Sequence, residues 1–165
     1  MRLRVGILQV DQVTETYVNW FSNKEVVNHS TNQYRKFSFE GQWSYVESCL
    51  KNNDLDLYGI FDDTLHIGNI AINTLTTVHR RAELTYVVGD TRYWGKGVAS
   101  FAVSKMVELG KSKYKLNKLH ASLDSSNFKS KKVLEKNGFV LEGIRKKHLF
   151  YNKEFFDQLD YGLIL

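Results

Sequence analysis

The stretch RYWGKGVAS, residues 92–100, limits what this chain can fold into more than any other segment. It joins the strand-like run AELTYVVG (82–89) to VASFAVSKMVELG (98–110), in which apolar residues recur at helical spacing. Gly95 and Gly97 therefore lie at a helix start, where each costs about 0.5–1 kcal/mol relative to alanine. We expect another interaction to compensate for that cost.

A bound phosphate group would compensate. The first amides of a helix lack internal partners and carry the positive end of the helix dipole, and glycines let a phosphate approach them closely. A tight turn with nothing bound explains the glycine pair equally well. Two common phosphate loops do not fit. A P-loop requires Gly-Lys followed by Ser or Thr, but Gly97 follows Lys96, and the dinucleotide fingerprint requires a glycine or alanine where Ser100 stands.

Changes of hydrophobic period predict an α/β domain of the α+β type. Seven strands are predicted at 2–10, 56–62, 66–76, 82–89, 118–123, 139–143 and 157–165. Helices are predicted at 11–23, at 39–52, from 98, and from 125 or 126 through 137. Residues 24–38 and the segment between the last two strands are predicted to be irregular. The order implies a mixed, mostly antiparallel central sheet of about seven strands flanked by about four helices.

Length and composition indicate the number of domains, the cellular compartment and whether a metal site is expected. The 165 residues contain no linker-like segment, so we expect one domain over 1–165. The single cysteine, Cys49, excludes an intrachain disulfide, and no signal peptide or membrane span is evident, so we expect a cytoplasmic protein with no membrane partner. No metal site is predicted, because the five histidines lack ligand spacing.

The net charge of +5 favours an anionic partner. A nucleic-acid-binding module is the alternative to an enzyme. The aromatic residues follow core spacing and do not interleave with lysine on one face, so no nucleic-acid partner is expected.

Arg92, Gly95, Gly97 and Ala99 form the pattern Arg-x-x-Gly-x-Gly-x-Ala. This pattern resembles the acetyl-CoA pyrophosphate loop of the GNAT superfamily of N-acetyltransferases. NFKSKKVLEKNGF (127–139) resembles a later segment of that family, Asn-x-x-Ser followed by Glu-Lys-x-Gly-Phe, and residues beyond it resemble its last hairpin. The chain is most similar to the branch containing RimJ/RimL-type and amino-sugar acetyltransferases.

The resemblance implies an acetyl-CoA-dependent acyltransferase that releases coenzyme A. The cofactor's arm would lie between two parted strands, with its pyrophosphate on the glycine loop and a backbone amide near Val88 facing the reacting carbonyl. The residues implied to bind the cofactor are Tyr86, Val87, Val88, Arg92, Gly95, Lys96, Gly97, Val98, Ala99, Ser100, Asn127, Lys129, Ser130 and Lys132. Exposed positions on the last predicted helix explain Lys129 and Lys132 equally well.

The resemblance also implies catalytic roles. Glu83 is the predicted base, acting through water, and an exposed strand carboxylate paired with Arg80 or Arg81 is the alternative. Many relatives place a tyrosine seven residues after the asparagine to protonate the leaving thiolate. Leu134 occupies that position here and is predicted to lie in the core, so the thiolate's proton donor stays open.

The segment NHSTNQYRKF, residues 28–37, corresponds to the region that lines the acceptor side in this fold. His29, Tyr34 and Arg35 are the predicted substrate residues. We expect the acceptor to be an amino sugar, and one linked to a nucleotide would suit the basic segment. A protein N-terminus or a small amine is the alternative. The oligomeric state stays open, a homodimer included.

Overall fold

The computed structural model describes residues 1–75 and 78–165. The strands are β1 Leu3–Ile7, β2 Leu55–Asp62, β3 Leu65–Asn73, β4 Arg81–Val88, β5 Lys118–Asp124, β6 Val140–Tyr151 and β7 Glu154–Ile164. The α-helices are α1 Glu15–Trp20, α2 Lys24–Val27, α3 Phe39–Leu50, α4 Val98–Ser112 and α5 Phe128–Lys136.

The strands form one seven-stranded sheet in the order β1-β2-β3-β4-β5-β7-β6. Neighbours pair antiparallel, except β4 and β5, which run parallel. That parallel pairing covers only Arg81–Glu83 against Lys118–His120, whereas β3 stays paired with β4 as far as Val88. The two central strands therefore part after Glu83 and His120, and a cleft opens toward their carboxyl ends.

Two hydrophobic clusters cover the two faces of the sheet. One packs α4 and α5 against the sheet, with Val98, Met106 and Leu134 each 1% exposed or less. The other packs α1 and α3 on the opposite face around Tyr17 and Val46. Strand alternation sends Leu84 and Tyr86 toward the first cluster, so Glu83, Thr85 and Val87 face the side of α1 and α3.

The predicted fold class and the order of the seven strands are confirmed, but the structure has five α-helices where about four were expected, because α2 forms within 24–38. The prediction of an irregular segment between the last two strands is wrong. Instead, β6 and β7 form a long hairpin that turns at Asn152 and Lys153, both with positive φ. Most of β6 is exposed, so its sequence lacks the apolar alternation that marks a half-buried strand.

The amino-terminal half differs from the predicted boundaries. The first strand ends at Ile7, and the helix expected at 11–23 is a 3-10 turn followed by α1. Thr14 begins α1 because its hydroxyl accepts a hydrogen bond from the Tyr17 amide. The segment 24–38, expected to be irregular, contains α2 and a second 3-10 turn. The strand predicted at 66–76 ends at Asn73, and its last predicted residue lies outside the described residues.

Across residues 1–75 and 78–165, none of the helices has both the length and the apolar character needed to cross a membrane.

Candidate active site

The glycine loop lies where β4 leads into α4. Gly95 and Gly97 have φ values of 73° and 80°, in the left-handed region that glycine tolerates best. A Cβ placed on either glycine would meet no atom within 4 Å. The loop is therefore open to a ligand on the side that side chains would otherwise fill.

The amino terminus of α4 has no side-chain cap. Gly97 occupies the capping position and offers no side-chain acceptor. The other four α-helices of the described chain are capped by the side chains of Thr14, Asn23, Ser38 and Asn127. The first amides of α4 thus carry unsatisfied donors and a positive dipole end that suit an anion.

Two cations and an indole surround this loop. The Arg92 guanidinium holds Asp90 with a 2.6 Å contact and lowers the pKa of that carboxyl. The Trp94 indole donates a hydrogen bond of 2.8 Å to the carbonyl oxygen of Val88. Lys129 Nζ lies 4.2 Å from the centroid of the Trp94 ring, so the structure brings this α5 lysine to the loop.

The remaining predicted cofactor residues vary in their contacts. Lys96 and Lys132 are exposed, and Val98 is buried, so Val98 can offer a ligand only its backbone. The Ser100 hydroxyl accepts a hydrogen bond of 3.1 Å from the Asn137 side chain. Ala99 is half-buried in the first turn of α4.

A tyrosine connects β4 to α5 beside the cleft. The Tyr86 hydroxyl donates to the carbonyl oxygen of Ser130 at 3.3 Å, and burial raises the pKa of Tyr86 to about 12. The Asn127 side-chain oxygen accepts from the Ser130 amide at 3.1 Å. Val87 and Val88, both half-buried, continue β4 along the open edge of the cleft.

Glu83 lies at the point where the strands part. It pairs in register with His120 of β5, and its backbone carbonyl accepts a hydrogen bond of 3.4 Å from Asn73. Burial lowers the pKa of His120, and the nearby Glu83 charge opposes that shift. The predicted partner Arg80 instead donates its guanidinium to the Lys115 carbonyl at 2.8 Å.

The three predicted substrate residues lie in one region over the ends of β5 and of the β6–β7 hairpin. His29 Nδ1 lies 2.7 Å from Oδ2 of Asp124, the last residue of β5. The Tyr34 hydroxyl accepts a hydrogen bond of 3.0 Å from the Asn152 amide in the hairpin turn. Arg35 lines a neighbouring cavity of about 580 Å³.

This cavity, the acceptor-side cavity, has a basic and aromatic lining. Lys24, Arg35 and Lys36 supply its charges, and the stacked rings of Phe21 and Phe37, 4.4 Å apart, supply an apolar wall. Among the described residues, its lining includes no aspartate or glutamate.

Sequence reasoning missed Asp124 and Trp94. Asp124 is 95 residues from its partner His29, so no local pattern connects them. Trp94 lies within the glycine stretch itself, so its position in the sequence could have indicated a contact with the end of the preceding strand. The predicted core position of Leu134 is confirmed, since that side chain is 1% exposed.

Comparisons with known proteins identify the family of this chain. A family model described as an acetyltransferase (GNAT) domain matches residues 2–140. The uncharacterized N-acetyltransferase YoaA of Bacillus subtilis is 33% identical over 98 residues, which cover 59% of this chain and 55% of that relative. The chain thus spans about half the length of this curated relative.

Solved structures share the fold over nearly the whole chain. Spermidine N-acetyltransferase from Vibrio cholerae, crystallised with CoA and spermine, has a TM-score of 0.86 at 19% identity, covering 99% of this chain and 95% of that one. Ribosomal-protein-S5-alanine acetyltransferase from Vibrio fischeri has a TM-score of 0.87 at 23% identity, covering 99% and 93%.

Proposed function

Because the chain belongs to the acetyltransferase (GNAT) domain family, we propose that it transfers an acetyl group from acetyl-CoA to a primary amine. The observation that carries the proposal is the uncapped amino terminus of α4 behind Gly95 and Gly97. Its free amides and its open approach match what a diphosphate requires.

The residues present fit the cofactor. The amides from Gly95 to Ser100 would hold the pyrophosphate, and Lys96 and Lys129 would add positive charge beside it. The exposed edge of β4 at Val87 and Val88 would bond the pantetheine arm through its backbone, and Asn127 and Ser130 would bond it from α5. When bound, acetyl-CoA supplies an acetyl thioester, which is activated toward attack by a neutral amine.

Glu83 is proposed to accept, through water, the proton that the amine loses as it attacks. Its position at the base of the cleft, opposite His120, supports this role. An amine of ordinary basicity must shed a proton before it can attack. An α-amine, with a pKa of about 7.7–8.0, needs less help at neutral pH than a lysine amine near 10.4.

We propose that the acceptor is an amino sugar carrying a negatively charged group, such as a phosphate or a linked nucleotide. The three cations of the acceptor-side cavity, Lys24, Arg35 and Lys36, support an anionic ligand, and the stacked phenylalanines support one with a flat apolar face. A polyamine would meet like charge there, at a cost of free energy. A protein N-terminus remains the second candidate, since Tyr34, the neighbour of Arg35 in the chain, is 62% exposed and available to a peptide.

The test measures thiol release from acetyl-CoA with four amines: glucosamine 6-phosphate, a nucleotide-linked amino sugar, spermidine and an N-terminal peptide. We expect the anionic amino sugars to give the highest kcat/KM, and Arg35→Ala to raise their KM about tenfold. Lys51→Ala, which removes a cation at the carboxyl end of α3, is the control and should leave KM unchanged. Fastest turnover of spermidine would contradict the proposed acceptor, and thiol release from none of the amines would contradict the activity.

Ligand-induced stabilisation separates the enzyme from a nucleic-acid-binding module. We expect acetyl-CoA to raise the melting temperature and an oligonucleotide to leave it unchanged. Stabilisation by the oligonucleotide alone would favour the binding module.

A further inference from the structure

A histidine of the acceptor-side loop is fixed to a buried carboxylate at the end of β5. His29 Nδ1 lies 2.7 Å from Asp124 Oδ2, with the Asp124 side chain 1% exposed and the His29 side chain 32% exposed. The Ser126 hydroxyl and amide donate to the other carboxylate oxygen at 2.5 and 2.7 Å. Both oxygens of Asp124 thus have polar partners, and the carboxylate orients the imidazole. Because Asp124 contacts Nδ1, the other ring nitrogen, Nε2, does not bond to it.

The sheet places this pair across the cleft from the end of β4, where the thioester is expected. Glu83 and His120 are the last paired residues of β4 and β5. Four residues further along each strand stand Val87 and Asp124, on opposite sides of the cleft that opens beyond the last pair. Strand alternation turns Asp124 toward the same face as His120, which is also the face of Glu83 and Val87.

We propose that His29, oriented by Asp124, is a catalytic base that takes a proton from the ammonium group of the acceptor. This proposal rests on the proposed acetyl transfer. An acceptor that enters as an ammonium loses two protons as its N–C bond forms and the thioester C–S bond breaks. The first goes to His29 Nε2 and on to solvent, and the second reaches the leaving thiolate sulfur.

The surroundings suit a neutral imidazole that accepts a proton. A carboxylate beside Nδ1 favours the tautomer in which Nδ1 carries the hydrogen, so the lone pair lies on Nε2. Besides Ser126, Tyr151 lies near Asp124, whose charge adds to burial in raising the pKa of Tyr151. A carboxylate beside a neutral phenol makes the site attractive to an ammonium group.

His29 and Glu83 therefore have separate tasks. Four residues of strand, about 13 Å, separate the level of Asp124 from that of Glu83, so a proton from an amine beside His29 would reach Glu83 only through water. His29 would receive the proton lost before attack, and Glu83 would act later through water.

Kinetics of His29→Gln test the proposal with the amine that turns over best in the panel above. We expect kcat to fall about 100-fold and KM to change less than threefold. His148→Gln, an exposed histidine of β6, is the matched control and should behave as the wild-type protein. A His29→Gln variant that keeps kcat within threefold would overturn the proposal.

The imidazole tautomer gives a readout that needs no turnover. Nitrogen-15 spectra of the ligand-free protein should show the His29 hydrogen on Nδ1, and Asp124→Asn should abolish that preference and lower kcat at least tenfold. A hydrogen on Nε2 in the wild-type protein would overturn the proposal, even if Asp124→Asn failed to fold. Failure of the proposed function would look different, since the wild-type protein would then release no thiol with any amine.

Discussion

The indole Nε1 of Trp94 donates a 2.8 Å hydrogen bond to the carbonyl oxygen of Val88. This bond ties the glycine loop to the last residue of β4, on the side where β5 has already departed. The same indole lies under Lys129 of α5, so one side chain joins the strand, the loop and the next helix around the cleft.

Trp94→Phe should weaken acetyl-CoA binding about three- to tenfold. Phenylalanine keeps the ring beside Lys129 but leaves the Val88 carbonyl without its donor, at a cost of about 1–3 kcal/mol if no water replaces it. Calorimetric titration with acetyl-CoA measures the effect. Trp43→Phe, on α3, is the control and should bind normally. Equal affinities in the two variants would show that the Trp94 bond does not position the loop.

Gly89→Ala should destabilise the fold. A Cβ on Gly89 would come within 1.9 Å of the Trp20 ring, which is 5% exposed and has little space to move. Overpacking of this kind costs about 3 kcal/mol, equivalent to a drop of roughly 6–12 °C in melting temperature for a domain of this size. Gly143→Ala is the control, because its Cβ would meet its nearest neighbour at an ordinary 3.9 Å. A melting temperature within 2 °C or so of the wild type would contradict the packing described here.

The parts of the fold that follow from local pattern were predictable. β2, β3 and β4 bury enough apolar residues to be recognised as strands, and Gly95 and Gly97 mark the turn between β4 and α4. β6 was not recognised in full because most of its residues are exposed on both faces. Its pairing with β7, not its composition, makes it a strand.

The site divides in the same way. The residues proposed to bind the pyrophosphate form a contiguous stretch, so they can be named before the fold is known. The contact of His29 with Asp124 joins positions 95 residues apart and depends on how the acceptor-side loop crosses the end of β5. The parting of β4 and β5 likewise depends on tertiary pairing, which no window of sequence contains.

Stability should fall as the pH drops below about 6.5, the pKa of an unperturbed histidine. Burial lowers the pKa of His66, which sits among the rings of Tyr17, Trp20 and Phe61. The unfolded state therefore binds the proton first, and the free energy of unfolding decreases by up to about 1.4 kcal/mol per pH unit until the folded state also titrates.

Urea unfolding at pH 7.5 and pH 5.5 measures this dependence. His66→Gln should flatten it, whereas His148→Gln, at an exposed position, should leave the slope as it is. An unchanged slope in His66→Gln would mean that other groups cause the loss of stability.

Glu83→Gln should lower kcat about 100-fold and leave the affinity for acetyl-CoA within twofold of the wild type. The amide keeps the shape and hydrogen-bonding capacity of the side chain but cannot accept a proton at neutral pH. Steady-state kinetics measures kcat, and calorimetry measures the affinity for acetyl-CoA. Glu47→Gln, which alters a surface pair on α3, serves as the control. Full activity in Glu83→Gln would remove Glu83 from the mechanism.

Calorimetric titration of Gly97→Glu with acetyl-CoA is the most direct test of the pyrophosphate site. The variant should fold, since the new Cβ meets no atom within 4 Å and the strain of a positive φ costs only about 1–3 kcal/mol. Its carboxylate would stand where the diphosphate must approach the first amides of α4, so binding should become undetectable. Gly97→Ala, which carries the same backbone strain without the charge, should retain measurable affinity. Wild-type affinity in a folded Gly97→Glu variant would contradict the assignment of this helix end to the cofactor.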